Sequence, residues 1–463
     1  MMQIQQLKSW FDQNRSQIFA DYFTFLRFPS ISADPARRGD CTACAEWLTS
    51  WLKKSGFSSE LVATPGLPLV YSEDLSAGLQ TKTLLIYGHY DVQPVDPLDL
   101  WKSAPFEPTE REGSIFARGA ADDKGQIFYA LVALRAWKEL GKKFPCNVKL
   151  CIEGEEESSS EGLIKALTQA KTQTMGSLKK KLAADSLLVV DFDQFDRNIP
   201  AVSLGARGIA ALEVRLEGSK MDMHSGLCGG IAYNPNRALV QLLSKLWDEE
   251  GKVAVPQFYE GILPVSEEEK KLYSYRYDKK YYEEQFGIHA FGGEKGVSLQ
   301  EANWFRPTLE LNGIGGGYVG AGVKTVIPSV AEARITCRLV PGQNPEKISK
   351  AVALFLQHHI PKGMKLQVIE HKGMPAFRGS IHSTLAQAIA KSATEVTGNS
   401  CRYMLTGGSI PIVPAFVETL GVDVVGMGYG LLEDQIHAPN EHFDRVRFEQ
   451  GFLTVGRALS LLL

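Results

Sequence analysis

Short apolar runs alternate with helical patterns through the first 204 residues, and this alternation constrains the fold more than any other feature of the sequence. The helical patterns lie at about residues 4–26, 41–55, 124–140 and 161–171. Three apolar runs, "TLLIYGH", "NVKLCIEG" and "SLLVVDFD", have the length and composition of buried strands. Helices that alternate with buried strands predict an α/β domain with a mostly parallel sheet.

The pattern changes after Gly205. The stretches "IAALEVRLEG", "EARITCRLVP" and "MKLQVIEHKG" alternate apolar and polar residues, which is typical of an antiparallel sheet with one solvated face. From about residue 380 the α/β pattern returns. We therefore predict one α/β domain, residues 1–204 and 380–463, which is interrupted by an inserted α+β domain at 205–379. Residues 312–325, "NGIGGGYVGAGVKT", lack the ending of a phosphate-binding loop and are expected to form a flexible connection.

Composition and charge exclude several kinds of partner. The formal net charge is -3 and no block of like charge stands out, so no nucleic-acid partner is expected. No window approaches 18 apolar residues, and the polar N-terminal stretch does not resemble a signal peptide, so no membrane association is expected. The seven cysteines are an odd number, which predicts reduced thiols and a cytoplasmic protein. Cys41 and Cys44 form a single CxxC without a second pair, and we expect no zinc there.

Acidic and imidazole side chains follow the predicted strands. His89 and Asp91 end the first apolar run and, at positions i and i+2, can point the same way. Taken alone, they are equally consistent with a core histidine that is paired with an acid. Further candidates of this kind occur in Gly-bounded loops or after strands: Asp122 and Asp123, Glu155 to Glu157, Asp191 and Asp193, and His437 with Glu441.

These groups predict a metal site. The carboxyl edge of an open α/β sheet is where ligands bind, and acids gathered there repel one another unless a cation lies among them. Two imidazoles and several carboxylates suit Zn²⁺ or a similar ion, and five ligands with one shared carboxylate would serve two ions. Each residue alone has an ordinary interpretation as a helix cap, a solvated acid or a surface histidine. Their combination favours the metal site.

Several motifs together resemble a known family. These are "GHYDVQP", "RGAADDKG", "EGEEESSSEG", "GARGIAALEVRLEGSKMDMHSG", "KTVIPSVAEARITCRLVP", "GGSIP" and "HAPNE". In this order they resemble the co-catalytic di-zinc metallopeptidases, which include carnosine-type dipeptidases, acetylornithine deacetylase, succinyl-diaminopimelate desuccinylase and aminoacylases. "GHYDVQP", "MHSG" and "TVIP" are most similar to the cytosolic non-specific dipeptidases. The resemblance implies a phosphorylase/hydrolase-like α/β catalytic domain with an inserted lid and dimerisation domain.

The resemblance also implies a role for each motif residue. Asp91 would orient His89, Glu156 would be the general base, and the extra Glu155 leaves this register open by one position. Asp193 is the alternative to Asp191 as a ligand. The metal ligands would be His89, Asp122 (shared by both ions), Glu157, Asp191 and His437.

Other motif residues would hold the substrate. Arg338, Thr325, Gly408 and Ser409 match family positions that bind the substrate's carboxylate and backbone, although Arg338 could equally form a surface salt bridge. His224, by default a polar surface residue, matches a lid histidine that reaches into the neighbouring subunit's site.

The sequence as a whole predicts a metal-dependent dipeptidase. It would be a cytoplasmic homodimer that acts on small peptides with two divalent ions, Zn²⁺ first and Mn²⁺ or Co²⁺ as alternatives. An N-acyl amino acid amidohydrolase or a metallocarboxypeptidase is the alternative, because the same centre cleaves all these amides. A catalytically inactive binding relative is disfavoured, since no ligand or base is missing.

Overall fold

The computed structural model describes residues 2–78, 80–168, 173–194, 196–273, 279–407 and 410–462. Within these residues the helices that precede the inserted domain are α1 Ile4–Leu26, α2 Arg38–Lys54, α3 Lys124–Glu139, α4 Glu161–Thr168 and α5 Gln173–Leu182. The remaining helices are α6 Ser225–Cys228, α7 Pro235–Leu243, α8 Glu267–Leu272, α9 Lys279–Phe286, α10 Leu299–Trp304, α11 Pro345–His358, α12 Thr384–Thr397, α13 Val413–Leu420 and α14 Arg445–Leu459.

The strands are short in the first part of the chain and longest in the inserted domain. The first eight are β1 Ser58–Val62, β2 Leu69–Asp74, β3 Thr83–His89, β4 Thr109–Arg111, β5 Ser114–Phe116, β6 Asn147–Glu153, β7 Ser186–Val189 and β8 Ala201–Ala206. The others are β9 Gly208–Glu217, β10 Met223–His224, β11 Thr308–Gly316, β12 Val326–Ile327, β13 Val330–Leu339, β14 Lys365–Glu370, β15 Phe377–Arg378, β16 Arg402–Thr406, β17 Asp423–Met427 and β18 His442–Asp444.

A nine-stranded sheet forms the centre of the α/β domain. Its order is β1-β2-β6-β3-β7-β17-β8-β15, with β16 beside β8. The four central strands β6, β3, β7 and β17 run parallel, and antiparallel pairs occur toward both ends. This confirms the predicted α/β fold with a mostly parallel central sheet.

Helices cover both faces of this sheet, and the alternation of side chains along β3 shows why. Leu84 and Ile86 belong to a core cluster with residues of α1, α2, α3 and α14. Leu85 and Tyr87 point to the other face and pack with residues of α4 and α13. Because both faces are covered, the strand has no charged or strongly polar residue from Leu84 to Gly88.

The inserted domain has a core of its own. Its antiparallel sheet has the order β11-β13-β9-β14, and the inward residues of β9 and β13 pack with α7 and α11. Asn234 caps α7 by accepting a hydrogen bond from the backbone of Asn236. The chain leaves the large sheet after Ala206 and pairs with it again at Phe377. The expected flexible connection is wrong for residues 312–316, which belong to β11; of these, Gly313 to Gly316 pair with β13.

None of the described helices combines the length and the apolar character that a membrane crossing requires.

Candidate metal centre

The topology of the sheet brings the predicted residues to one edge. Strands β6, β3 and β7 are parallel neighbours, so their carboxyl ends lie side by side. His89 ends β3, Glu156 and Glu157 follow β6, and Asp191 follows β7. Two loops bring the remaining residues to this edge: the loop before α3 carries Asp122, and the loop between β17 and β18 carries His437.

The side chains form two adjacent groups. In the first, ligand atoms of His89, Asp123 and Asp191 all lie within 4.8 Å of one another. In the second, the same holds for Asp122, Glu157 and His437.

The Asp122 carboxylate lies between the two histidines. Its Oδ1 atom is 3.1 Å from His89 Nε2, and its Oδ2 atom is 2.8 Å from His437 Nε2. The same nitrogen of His437 is 3.2 Å from Glu157 Oε2. One carboxylate with an oxygen toward each group has the geometry of a ligand that two ions share.

Asp91 organises the residues around it from a fully buried position. Its Oδ1 is 3.2 Å from His89 Nδ1, and this contact directs the opposite ring nitrogen toward Asp122. Its two oxygens also accept hydrogen bonds from the backbone N–H groups of Glu156 (3.3 Å) and Glu157 (3.1 Å). A single carboxylate therefore orients the histidine ring and holds the turn that carries both glutamates.

The three consecutive glutamates point in different directions. Glu155 accepts a hydrogen bond from the backbone N–H of Gly162 at 3.2 Å and lies against Gly66, away from the acid groups. Glu156 is partly buried, and its carboxylate interacts electrostatically with His89 and Asp191. Glu157 contacts His437 and accepts a hydrogen bond from Gln93 Nε2 at 2.7 Å. The structure thus brings Glu156 and Glu157, rather than Glu155, into the site.

The two acids after β7 also differ. Asp191 Oδ2 lies 3.8 Å from His89 Nε2 within the first group. Asp193 belongs to neither group, and its backbone forms an isolated bridge with Gly430.

The electrostatics of the centre favour a cation. Burial, and then the neighbouring carboxylates, raise the pKa of Glu156 and Asp191 well above their ordinary values. Burial alone would lower the pKa of His89, but Asp122 and Asp91 hold it well above its ordinary value. Asp122 and Glu157 raise the pKa of His437 to about 10. Two imidazoles among crowded carboxylates supply the donors that a divalent ion prefers, and bound ions would relieve this repulsion.

Three buried acids had no role assigned from the sequence. Asp123 accepts a hydrogen bond from the backbone N–H of His89 at 3.0 Å. Glu153 accepts hydrogen bonds from Tyr87 (2.7 Å) and Ser160 (2.9 Å), and burial raises its pKa to about 8. Glu441 is buried against the loop that carries Asp122. The sequence signal for Glu153 is an acid that ends a largely apolar strand.

The candidate substrate residues of the inserted domain belong to neither metal group. Arg338 lies near the end of β13, where burial lowers its pKa. His224 is exposed; its Nδ1 accepts a hydrogen bond from the backbone of Gly226 at 3.0 Å, and its Nε2 is 3.5 Å from Thr325 Oγ1. The predicted residues Gly408 and Ser409 lie outside the described residues.

Comparison with known proteins identifies the family. The model of peptidase family M20/M25/M40 matches residues 85–460. The chain belongs to this family. The predicted resemblance and the prediction of a peptidase hydrolase are therefore confirmed, and the family implies divalent metal ions.

Individual relatives of this family match most of the chain. The Cys-Gly metallodipeptidase DUG1 of Candida albicans is 30% identical over 452 residues, which cover 93% of this chain and 91% of that protein. Among solved structures, the M20 family metallo-carboxypeptidase Sso-CP2 from Sulfolobus solfataricus has a TM-score of 0.84 at 31% identity and covers 96% of this chain and 99% of its own. Human carnosine dipeptidase 1 has a TM-score of 0.80 at 26% identity, with coverage of 100% and 99%.

Proposed function

We propose that the protein is a metal-dependent dipeptidase whose centre holds two divalent ions, most suitably Zn²⁺. The observation that carries this proposal is the Asp122 carboxylate, which directs one oxygen to each of the two ligand groups. His89, Asp191 and Asp122 would hold one ion, and Glu157, His437 and Asp122 the other. Similarity to a Cys-Gly dipeptidase and a carnosine dipeptidase supports the substrate class of small peptides.

Glu156 is the general base in this proposal. Ions bound in the centre would polarise the scissile carbonyl and activate the attacking water. The Glu156 carboxylate would take a proton from that water and pass it to the leaving amine. Burial raises the pKa of Glu156, which makes its carboxylate a stronger proton acceptor. Asp91 would keep Glu156 in place through the backbone bond described above.

The inserted domain would bind the rest of the substrate. Arg338 would pair with the free C-terminal carboxylate, because guanidinium and carboxylate form strong charge-assisted bonds. Thr325, Gly408 and Ser409 would hold the peptide backbone. His224 would donate to the oxygen that becomes anionic during the reaction, a contact that stabilises the transition state more than the ground state.

In this proposal His224 acts across a homodimer interface. Around it the inserted domain exposes apolar side chains, which are characteristic of an interaction surface. Leu227 is 75% exposed, Ile231 84%, Val319 90% and Val323 95%. A second copy that covers this surface would exclude water from it and bring an exposed histidine to the partner's centre.

The proposed location is the cytoplasm. All seven cysteines are free thiols and five of them are buried, which suits a reducing compartment.

A carboxypeptidase that removes one residue from a longer peptide is the second candidate. The similarity to Sso-CP2 over nearly the whole chain favours it. Cleavage of N-blocked substrates separates the two, because a dipeptidase requires the free N-terminus that a carboxypeptidase or an N-acyl amino acid amidohydrolase does not.

The test uses Glu156→Gln on the zinc-loaded protein with dipeptides, tripeptides and N-acetyl amino acids. This change removes the base and keeps its shape, so kcat on dipeptides should fall by about 10²–10⁴ while metal content is unchanged. Glu157→Gln should instead lose metal. Glu155→Gln is the matched control and should retain both metal and turnover, because its side chain faces Gly162. Full activity of the wild-type protein after chelation, or inactivity of Glu155→Gln, would refute this assignment.

A further inference from the structure

Glu441 is a buried carboxylate that the proposed reaction does not use. It follows His437 in the same loop and lies immediately before β18, with no exposed surface. Burying a carboxylate is unfavourable unless charged and polar groups replace its lost water. Its hydrogen-bond partners therefore indicate which part of the structure it stabilises.

Four donors surround the Glu441 carboxylate, and all belong to the turn that ends on Asp122. Oε2 accepts hydrogen bonds from Arg118 Nη1 at 2.8 Å and from the backbone N–H of Gly119 at 2.9 Å. Oε1 accepts from the backbone N–H groups of Ala121 at 2.8 Å and Asp122 at 3.0 Å. Both oxygens are thus fully used, and three backbone donors of the turn depend on one side chain that, for Asp122, lies 319 residues further along the chain.

The bonds of Glu441 continue into a backbone connection between the same two segments. The backbone N–H of Ala117 donates to the carbonyl oxygen of Glu441 at 3.1 Å. The next residue, His442, pairs with Phe116 where β18 meets β5. The segment that leads into the Asp122 turn and the segment that follows the His437 loop are therefore also joined through their backbones.

We propose that Glu441 is a positioning residue that sets the distance between Asp122 and His437 and so preforms the second ion site. This inference rests on the proposed function. Two of the three members of that site, Asp122 and His437, lie on the segments that Glu441 joins. Among the proposed ligands of the other ion, only the shared Asp122 lies on such a segment, because His89 ends β3 and Asp191 follows β7. Asp123, which lies beside them, is held separately, since its Oδ2 accepts a hydrogen bond from the backbone N–H of His89. Loss of Glu441 should thus weaken one ion more than the other.

The experiment is a zinc and cobalt titration of Glu441→Gln, followed by calorimetry and by the visible absorption of bound Co²⁺. Gln has the same shape but only one acceptor oxygen, and its NH₂ group meets two backbone donors. We expect the ion held by Asp122, Glu157 and His437 to lose about 10- to 100-fold in affinity, with a changed cobalt spectrum, and the other ion to change much less. His437→Ala, which removes a ligand of the same site, identifies which ion is affected.

The matched control is Asp434→Asn. Asp434 is another fully buried carboxylate of the same loop, but its partners are Arg447 and the backbone of Leu431 rather than the Asp122 turn. It should lower the melting temperature while both ions bind with nearly wild-type affinity.

Three results would overturn the inference: wild-type affinities in Glu441→Gln, equal weakening of both ions, or the same ion loss in Asp434→Asn. If Glu441→Gln does not give folded protein, Glu441→Asp replaces it, since it keeps the charge for Arg118 but is too short for all four donors. A wild-type protein that binds no ion would refute the proposed function instead, so the two failures are distinguishable.

Discussion

Replacing Asp91 by Asn should reduce turnover more than it reduces metal binding. The substitution keeps size and shape but exchanges one acceptor oxygen for an NH₂ group. Asp91 Oδ1 contacts both His89 and the backbone N–H of Glu156, whereas Oδ2 contacts only the N–H of Glu157. The amide oxygen is therefore best placed at the Oδ1 position, which leaves the NH₂ group facing the N–H of Glu157.

The expected loss in the free energy of unfolding follows from these contacts. A buried donor pair without an acceptor costs about 1–3 kcal/mol, and each retained bond loses about 1 kcal/mol when its acceptor becomes neutral. The free energy of unfolding should fall by roughly 3–5 kcal/mol. The ring of His89 keeps a second acceptor, since its Nδ1 is 3.1 Å from the Asp91 carbonyl oxygen. Its Nε2 thus stays available as a ligand.

Urea denaturation, zinc titration and steady-state kinetics on one dipeptide measure the three effects. We expect kcat to fall about 10- to 100-fold because the Glu156–Glu157 turn shifts, and zinc affinity to fall less than that. The reasoning is wrong if Asp91→Asn loses an ion completely while its unfolding free energy is unchanged. That pattern would mean that the carboxylate controls the histidine tautomer and not the turn.

Three further predictions concern other residues. Arg338→Met should lower kcat/KM for free dipeptides about 10- to 100-fold, which corresponds to the loss of one charged hydrogen bond. The kcat/KM for C-terminally amidated peptides should change little. Equal losses on both substrates would mean that Arg338 has a structural role. Mixing inactive Glu156→Gln with inactive His224→Ala under subunit exchange should restore activity, because one site of the mixed dimer is then intact; a mixture that stays inactive places His224 in its own chain's site. The pKa of Glu153, about 8 against an ordinary 4.5, means that the folded protein holds a proton which the unfolded chain releases. The free energy of unfolding should therefore fall as pH rises from 4.5 to 8, by up to about 1.4 kcal/mol per pH unit. In urea denaturation of the metal-free protein, Glu153→Gln should remove this contribution to the pH dependence. An unchanged pH dependence in Glu153→Gln would contradict the prediction.

Much of the fold could be predicted because its elements have strong local periodicity. The helical pattern at 4–26 coincides with α1, and the pattern at 124–140 matches α3, which begins at Lys124 and ends at Glu139. The end of β11 was missed because its glycines indicate a turn, and only pairing with β13 makes them extended. The periodicity of one segment contains no information about the strand with which it pairs.

For the candidate site too, one part could be predicted from the sequence and another could not. The grouping of the acids could be predicted, because the carboxyl ends of parallel strands meet at one edge of a sheet. The direction of each acid does not follow from it. Glu155 points away from the site because its side chain packs against Gly66 and accepts a hydrogen bond from Gly162. Glu441 points toward the Asp122 turn because that turn supplies four hydrogen-bond donors. Both choices depend on packing between distant segments, so a one-residue ambiguity remained until the structure was known.

The position of β17 has a consequence for how the chain folds during synthesis. This strand, Asp423–Met427, lies between β7 and β8 and pairs with both. When the ribosome has made only the first 206 residues, β17 is not yet present. The backbone groups of β7 and β8 that later pair with β17 are then unpaired. The inserted domain has its own core and can fold before β17 has been made. The α/β domain can close only after residue 427 has emerged, so the nascent chain passes through a stage with an exposed sheet edge, which is the kind of surface that chaperones protect from aggregation.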